Sequence, residues 1–362
     1  MKIAGVQYLR AIAAIAVVLD HCCGMAAFDK YYGRKSILFD FLVSGSFGVN
    51  LFFLISGFII VVSSTKFKSL TPSKTLGDFF KARAIRILPM MWLTIISYAT
   101  LRILGRGSAE WHSYLNAFFL IPFGDYDPNN IWTLRQEAIF YIIFGLTFLS
   151  GRKLWPVFLF WILIPFLPQI TALAQGVPAS RPIGHQILLN FLSPVNVLFG
   201  GGAAIGLLYR KREDLFHDNM NRVISALQTW PALVIMFLIA MTILKGDIIS
   251  PSNVLLSLPI FTIMLVIGAI EYKKINRIFY YLGNASYAIY LFHLQFISAF
   301  LGIFSKHAHG MPVTLAIATI SATTIAISCA IYSFVEVPLT KYLMAKLIHR
   351  PKEQSAPIAA AE

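Results

Sequence analysis

"YLRAIAAIAVVLDHCC" occupies residues 8–23 and decides how the chain is to be read. It is built mainly of Leu, Ile, Val and Ala, yet Arg10 stands near one end and His21 near the other. An α-helix turns about 100° and rises about 1.5 Å per residue. Eleven steps therefore make about three turns, and both side chains leave one face about 16 Å apart along the axis. A cation within a bilayer costs about 2.5–3.5 kcal/mol on insertion scales, so it faces a cavity or a partner, or it snorkels to the headgroups. Two readings stay open. Either one face of a spanning helix lines a polar passage, or Arg10 and His21 reach opposite headgroup layers.

The rest of the chain has the composition of a polytopic membrane protein. Of 362 residues, 57% are hydrophobic and only 13% charged, against about 25% charged in soluble domains. Mean hydropathy is +0.71. The net charge of +14 lies between apolar runs rather than on one soluble face, which argues against a nucleic-acid partner. Cys22 and Cys23 are adjacent and Cys329 is distant. They form neither a metal-binding pair nor a disulfide framework and read as small apolar residues. The N-terminus has the basic start and apolar run of a signal peptide. Arg10 interrupts that run and many spans follow, so it reads as a retained first span.

The expected fold is all-α, with ten transmembrane helices. A span needs about 20 mainly apolar residues, and such runs fall at 5–25, 47–65, 84–104, 135–150, 154–174, 187–209, 224–245, 253–270, 284–304 and 312–335. "LNAFFLIPF" at 115–123 reads as a re-entrant or interfacial piece. One membrane domain is expected over 1–345 and a cytoplasmic C-terminal tail over 346–362, whose last residues, "PKEQSAPIAAAE", read as disordered. Lys and Arg in short loops set orientation. With the N-terminus cytoplasmic, 21 of 30 basic residues fall on the inner side, so both termini are expected in the cytoplasm and His21 towards the outer face.

Further segments carry polar residues into apolar surroundings. In "FFKARAIRILPMMW" (79–92), Arg83 and Arg86 share a helix face below Pro89. Paired guanidiniums suit phosphates, although an ordinary positive-inside cluster reads the same way. "GVNLFFLISGFII" (48–60) places Ser56 and Gly57 inside an apolar run, for helix packing or close approach of a ligand. "IWTLRQEAIFY" (131–141) carries Arg135 and Glu137 among belt aromatics, with Glu137 just inside the span. In "LGNASYAIYLFHLQFI" (282–297), Ser286, Tyr290 and His293 share a face. "YSFVEVPLTKY" (332–342) sets Glu336 near the level of Arg83 and Arg86, where a structural ion pair is possible. No metal-ligand spacing, P-loop or GxSxG elbow occurs.

In order, these segments resemble the acyltransferase 3 family of bacterial integral membrane acyltransferases, above all the exopolysaccharide and O-antigen O-acetyltransferase type. Residue by residue, Arg10 and His21 match the family's basic residue, ten positions and histidine. Arg83 and Arg86 match its Arg-x-x-Arg, Ser56 to Phe58 its Ser-Gly-Phe, and Glu336 its late glutamate before proline. Two positions depart from the pattern. The family's Glu-Phe-x-x-Gly tract reads "VNVLFGGGAAIG" (195–206), with Asn196 near the glutamate position, and Asp20 precedes His21 where an apolar or aromatic residue is usual.

The resemblance implies an inner-membrane enzyme. It moves an acyl group, usually acetyl from cytoplasmic acetyl-CoA, onto a sugar hydroxyl of an exported polysaccharide or its lipid-linked precursor. His21 is then the expected general base, with Arg10, Ser56 and Glu137 as further candidate catalytic residues. Arg83, Arg86 and Glu336 are the candidates for coenzyme binding. A covalent acyl-histidine relay is a second route. A non-catalytic transporter or flippase of lipid-linked saccharides would use the same passage without needing His21 to ionise.

Overall fold

The computed structural model describes residues 3–66, 68–106, 110–149, 154–167, 182–212, 229–272, 274–308 and 310–348. Among these the protein is helical, and its only β pairing is the bridge between Thr65 and Pro72. The helices are α1 (Ala4–Ala26), α2 (Gly48–Ser64), α3 (Leu76–Arg106), α4 (Trp111–Phe119), α5 (Trp132–Phe144), α6 (Trp155–Leu163), α7 (Ile183–Phe191), α8 (Asn196–Lys211), α9 (Trp230–Ile243), α10 (Pro251–Ala269), α11 (Arg277–His307), α12 (Val313–Ile331) and α13 (Val337–Leu347). A helical turn at Phe39–Leu42 and a 3₁₀ turn at Val43–Phe47 lead into α2.

Local chemistry starts several of these helices. Thr229 and Ser250 accept bonds from the backbone amides of Ala232 and Asn253, each just ahead of a proline in the first turn of α9 or α10. Asn276 caps α11 through the amides of Ile278 and Phe279. α3 runs through Pro89 as one helix.

Among the described residues, seven helical stretches are long and apolar enough to cross a membrane: Ala4–Ala26, Phe39–Ser64, Leu76–Gly105, Ile183–Lys211, Pro251–Ala269, Arg277–His307 and Val313–Leu347. The expectation of ten such helices is therefore met in part. The run at 135–150 contributes the 13 residues of α5 and a π-helical turn at Gly145–Leu149. Those at 154–174 and 224–245 contribute the short apolar helices Trp155–Phe166 and Trp230–Ile243, while 168–174 and 224–228 lie outside the described residues. At about 1.5 Å per residue, 12 to 14 residues rise about 20 Å, short of a hydrocarbon core of about 30 Å. The 115–123 piece falls on α4, which ends at Leu120 in a left-handed conformation (φ 52°). α4 folds onto α3 through the stacked rings of Trp92 and Phe118. α13 extends to Leu347, into the expected tail, and residues 349–362 lie outside the described residues.

α1 is buried on most of its circumference, as expected of a helix apolar all round. It packs most extensively on α11 and also meets α2, α10 and α12. The closest helix pair is α2 with α8. A Cβ on Gly57 would lie 2.0 Å from the Phe199 carbonyl oxygen, and one on Gly202 would lie 1.8 Å from that of Leu54. Backbones thus touch where no side chain fits. This gives Gly57 its packing role and leaves its neighbour Ser56 to face elsewhere. Phe52 packs against all three hydrophobic clusters of the bundle.

Gly202→Val should separate these two backbones. Overpacking typically costs about 1–3 kcal/mol, so the thermal midpoint of the detergent-solubilised protein should fall. An unchanged midpoint would show that the contact is not needed.

Candidate active site

α1, α2, α3, α5 and α11 enclose a cavity of about 80 Å³. That is room for several waters. Its polar lining brings together Arg10, Ser56, Arg83, Arg86 and Glu137, five of the seven residues singled out by sequence, with Thr133, Tyr141, Ser286, Tyr287 and Tyr290. Glu137 is the central acceptor. Ser56 Oγ donates to its carboxylate at 3.0 Å, and the Tyr141 hydroxyl donates to the same oxygen. The Arg83 guanidinium lies over the Tyr141 ring at 5.2 Å and donates to Ser63 Oγ. Arg10 donates to Gln7 at 3.3 Å.

Glu336 sits in a π-helical turn, Tyr332–Glu336, between α12 and α13. Such turns often mark functional positions. It lies within electrostatic reach of Arg10 and Arg86 but forms no direct ion pair with either, and its buried Oε2 has no hydrogen-bond partner among the described residues. Three guanidiniums, those of Arg10, Arg83 and Arg86, thus stand with two carboxylates. The formal surplus is one positive charge. Two clefts adjoin the cavity. Arg83 and Arg86 also line one of about 170 Å³ with Ser63 and Lys74, and Arg10 and Arg86 line another of about 440 Å³ with Gln7 and Arg210. This end of the bundle is strongly basic, which suits phosphates.

His21 stands outside the cavity lining. It and Arg10 both point to the α11 side of α1, as their spacing requires: Arg10 shares the cavity with Ser286 and Tyr290, and His21 packs on His293 with ring centroids 4.9 Å apart. His21 Nδ1 is 2.9 Å from the Val17 carbonyl oxygen. A carbonyl only accepts, so this bond puts the proton on Nδ1 and leaves Nε2 bare, the tautomer a general base needs. Asp20 lies 3.4 Å from the same Nδ1. The His21 side chain is 34% exposed, open enough to meet a substrate.

Several partners escaped the sequence reading. Tyr141, assigned there to an interfacial belt, is buried and holds Glu137; its position four residues beyond Glu137, on the same helix face, was the available signal. Asn196 is fully buried, accepts from Gln136 at 2.8 Å and donates to the Phe191 carbonyl at 2.9 Å. The tract that departs from the family pattern therefore joins α5 to α8 by neutral amide bonds. Arg135 lies over the Tyr126 ring at 4.8 Å, away from the cavity lining.

The family model described as an acyltransferase domain matches residues 3–333. The chain belongs to the acyltransferase 3 family. As a member it is a multi-pass membrane acyltransferase. It is 28% identical over 315 residues to the exopolysaccharide production protein ExoZ of Rhizobium meliloti (strain 1021), covering 82% of this chain and 90% of that protein. It is 27% identical over 227 residues to the acyltransferase MdmB of Streptomyces mycarofaciens, covering 56% of each chain. No solved structure matches it.

Removing the central acceptor should be costly. Glu137→Ala leaves the Ser56 and Tyr141 donors unpaired, at about 1–3 kcal/mol for each buried group, and strips Arg10 and Arg83 of a counter-charge. Glu137→Gln keeps an acceptor oxygen and should lose less. Thermal unfolding of both variants in detergent checks this, and equal midpoints would show that Glu137 does not hold the cavity together.

Proposed function

We propose that this acyltransferase moves an acetyl group from cytoplasmic acetyl-CoA to a sugar hydroxyl of an exported polysaccharide or its lipid-linked precursor. The observation that carries this reading is the basic cavity at one end of the α1–α11 pair with a base-competent histidine further along the same pair. The likeness to a protein named for exopolysaccharide production supports the acceptor class. The asymmetry of Lys and Arg supports an inner-membrane orientation with both termini cytoplasmic.

The residues fit an anionic donor. Arg83, Arg86 and Arg10 supply more positive charge than Glu137 and Glu336 cancel, and Lys74 lines the cleft beyond. In the reaction, His21 Nε2 takes the proton of the acceptor hydroxyl as its oxygen attacks the thioester carbonyl. The new bond joins that oxygen to the acyl carbon, and the carbon–sulfur bond breaks. The proton returns to the departing thiolate, giving the free thiol of coenzyme A. Ser56 Oγ lines the cavity and donates to Glu137, and it helps to position the acyl group on its way to His21.

Two measurements test this. His21→Gln keeps polarity and approximate size but cannot act as base. In a deletion strain complemented with it, acetyl ester on the surface polysaccharide should fall by about 10²–10⁴ in rate of formation. A near wild-type rate would make His21 a structural residue. Replacing Arg83 and Arg86 together with Gln should weaken acetyl-CoA binding by about tenfold to a hundredfold per lost contact, since a hydrogen bond to a charged group contributes about 1.5–3 kcal/mol. Unchanged affinity in correctly folded protein would reduce both to topology signals. Binding and transport of lipid-linked saccharide without thioester cleavage would favour the flippase reading instead.

A further inference from the structure

The cavity and His21 are separate, and one face of α11 lies between them. Ser286, Tyr290 and His293 are spaced four and three residues apart, so they share that face. Ser286 is fully buried and lines the cavity. A helical serine commonly bonds back to the carbonyl one turn earlier, but Ser286 Oγ has no hydrogen-bond partner among the described residues. Tyr290 lines the same cavity, and its hydroxyl is 2.8 Å from Thr133 Oγ1. Its ring lies 5.6 Å from that of His293. His293 is fully buried against His21. Its Nδ1 donates to the Tyr290 carbonyl at 2.6 Å, so Nε2 is bare, and Nε2 too has no partner.

Two unpaired buried polar atoms on one helix face are costly unless something takes their bonds. One is a donor at the cavity, and the other is an acceptor beside the base. That sequence matches what an acyl thioester and a hydroxyl need: a donor for the carbonyl oxygen and an acceptor near the proton that leaves.

We propose that the Ser286–Tyr290–His293 face of α11 is the wall along which the acyl group reaches His21, with His293 as the positioning residue for the His21 imidazole. This rests on the reading of His21 as general base. The thioester carbonyl takes a bond from Ser286 Oγ in the cavity. His293 packs against the His21 ring and keeps its Nε2 turned to the acceptor hydroxyl. Its own Nε2 accepts a hydrogen bond in the occupied site. Asp20 on α1 and Tyr290 on α11 are the other titratable groups at this pair.

Purified full-length protein, with acetyl-CoA as probe, gives the test through release of free thiol. Asn at 293 reproduces the Nδ1 donor to Tyr290 but offers nothing at the Nε2 position. Gln at 293 offers an amide group at the Nε2 position. His293→Asn should lower kcat by about a hundredfold, the scale of a misplaced reacting group, with KM for acetyl-CoA within about twofold. His293→Gln should recover a substantial part of kcat. Ser286→Ala removes the unpaired hydroxyl, so its thermal midpoint should hold or rise while its kcat falls. Wild-type kcat in both His293→Asn and Ser286→Ala, beside an inactive His21→Ala control, would overturn this proposal and leave the base in place. An active His21→Ala control would instead overturn the reading on which the proposal rests. Should His293→Asn fail to fold, Ser286→Ala decides: loss of kcat with an intact midpoint supports the wall, and wild-type kcat removes it.

Discussion

Guanidinium groups inside an apolar bundle must be partnered, and the cavity is built around that demand. Arg10, Arg83 and Arg86 come from α1 and α3. Their counter-charges, Glu137 and Glu336, come from α5 and the turn before α13. Each ionised group needs a polar neighbour within a few ångströms or it does not stay charged at that depth. The helices that carry them are therefore held at one level. Glu137 ties α5 to α2 by accepting from Ser56, while Tyr141 on its own helix donates to the same oxygen. Next to Ser56, Gly57 and Gly202 let α2 and α8 touch backbone to backbone. Packing and polar contact thus occupy adjacent positions of α2.

What was legible in the sequence is what lies along single helices. The eleven-residue step from Arg10 to His21 fixes one face by helix geometry, and both residues do meet α11. The three-residue step from Arg83 to Arg86 places both on one cavity wall. Apolar runs announced the long helices. The bonds that assemble the site were hidden because they join distant positions. Ser56 and Glu137 are 81 residues apart, and Tyr287 donates to the carbonyl of Ile87, 200 residues earlier. Helix crossing decides such pairs, and crossing depends on close packing that periodicity does not encode. The span count is met in part for a related reason. Composition counts apolar residues but does not show the helix type: a 3₁₀ turn at Asn129–Ile131 leads into α5, a π-helical turn at Gly145–Leu149 follows it, and a 3₁₀ turn at Ile164–Phe166 follows α6.

The two departures from the family pattern have different physical weight. At Asn196 a carboxylate is replaced by an amide, and the amide pairs with Gln136 and the Phe191 carbonyl. Both partners are neutral, so the joint between α5 and α8 carries no net charge and needs no counter-ion. The charge that the Arg cluster requires is left to Glu137 and Glu336. Asp20 is different, because it sits against His21 itself, 3.4 Å from Nδ1. The Val17 carbonyl already takes the Nδ1 proton. Asp20 therefore sets a polar side chain beside the His21 ring, which an apolar or aromatic residue at that position would not do.

Distance sets the remaining constraint. Arg10 and His21 stand about 16 Å apart along α1, about half the thickness of a bilayer's hydrocarbon core. The cavity of about 80 Å³ beside Arg10 holds several waters but not a nucleotide. In the proposed reaction, the phosphates therefore stay at the basic clefts while only a thin arm enters. On that proposal, the basic clefts and His21 serve different parts of one donor. Phosphates need guanidiniums and water at the membrane surface, whereas a neutral thioester crosses apolar surroundings at low cost and needs only an isolated donor such as Ser286. A site that kept donor charge and general base together would have to bring the phosphates to mid-membrane. A chain of neutral polar side chains on α11 avoids that desolvation, and it places the acyl carbon, rather than the whole donor, where an acceptor from the other side can meet it.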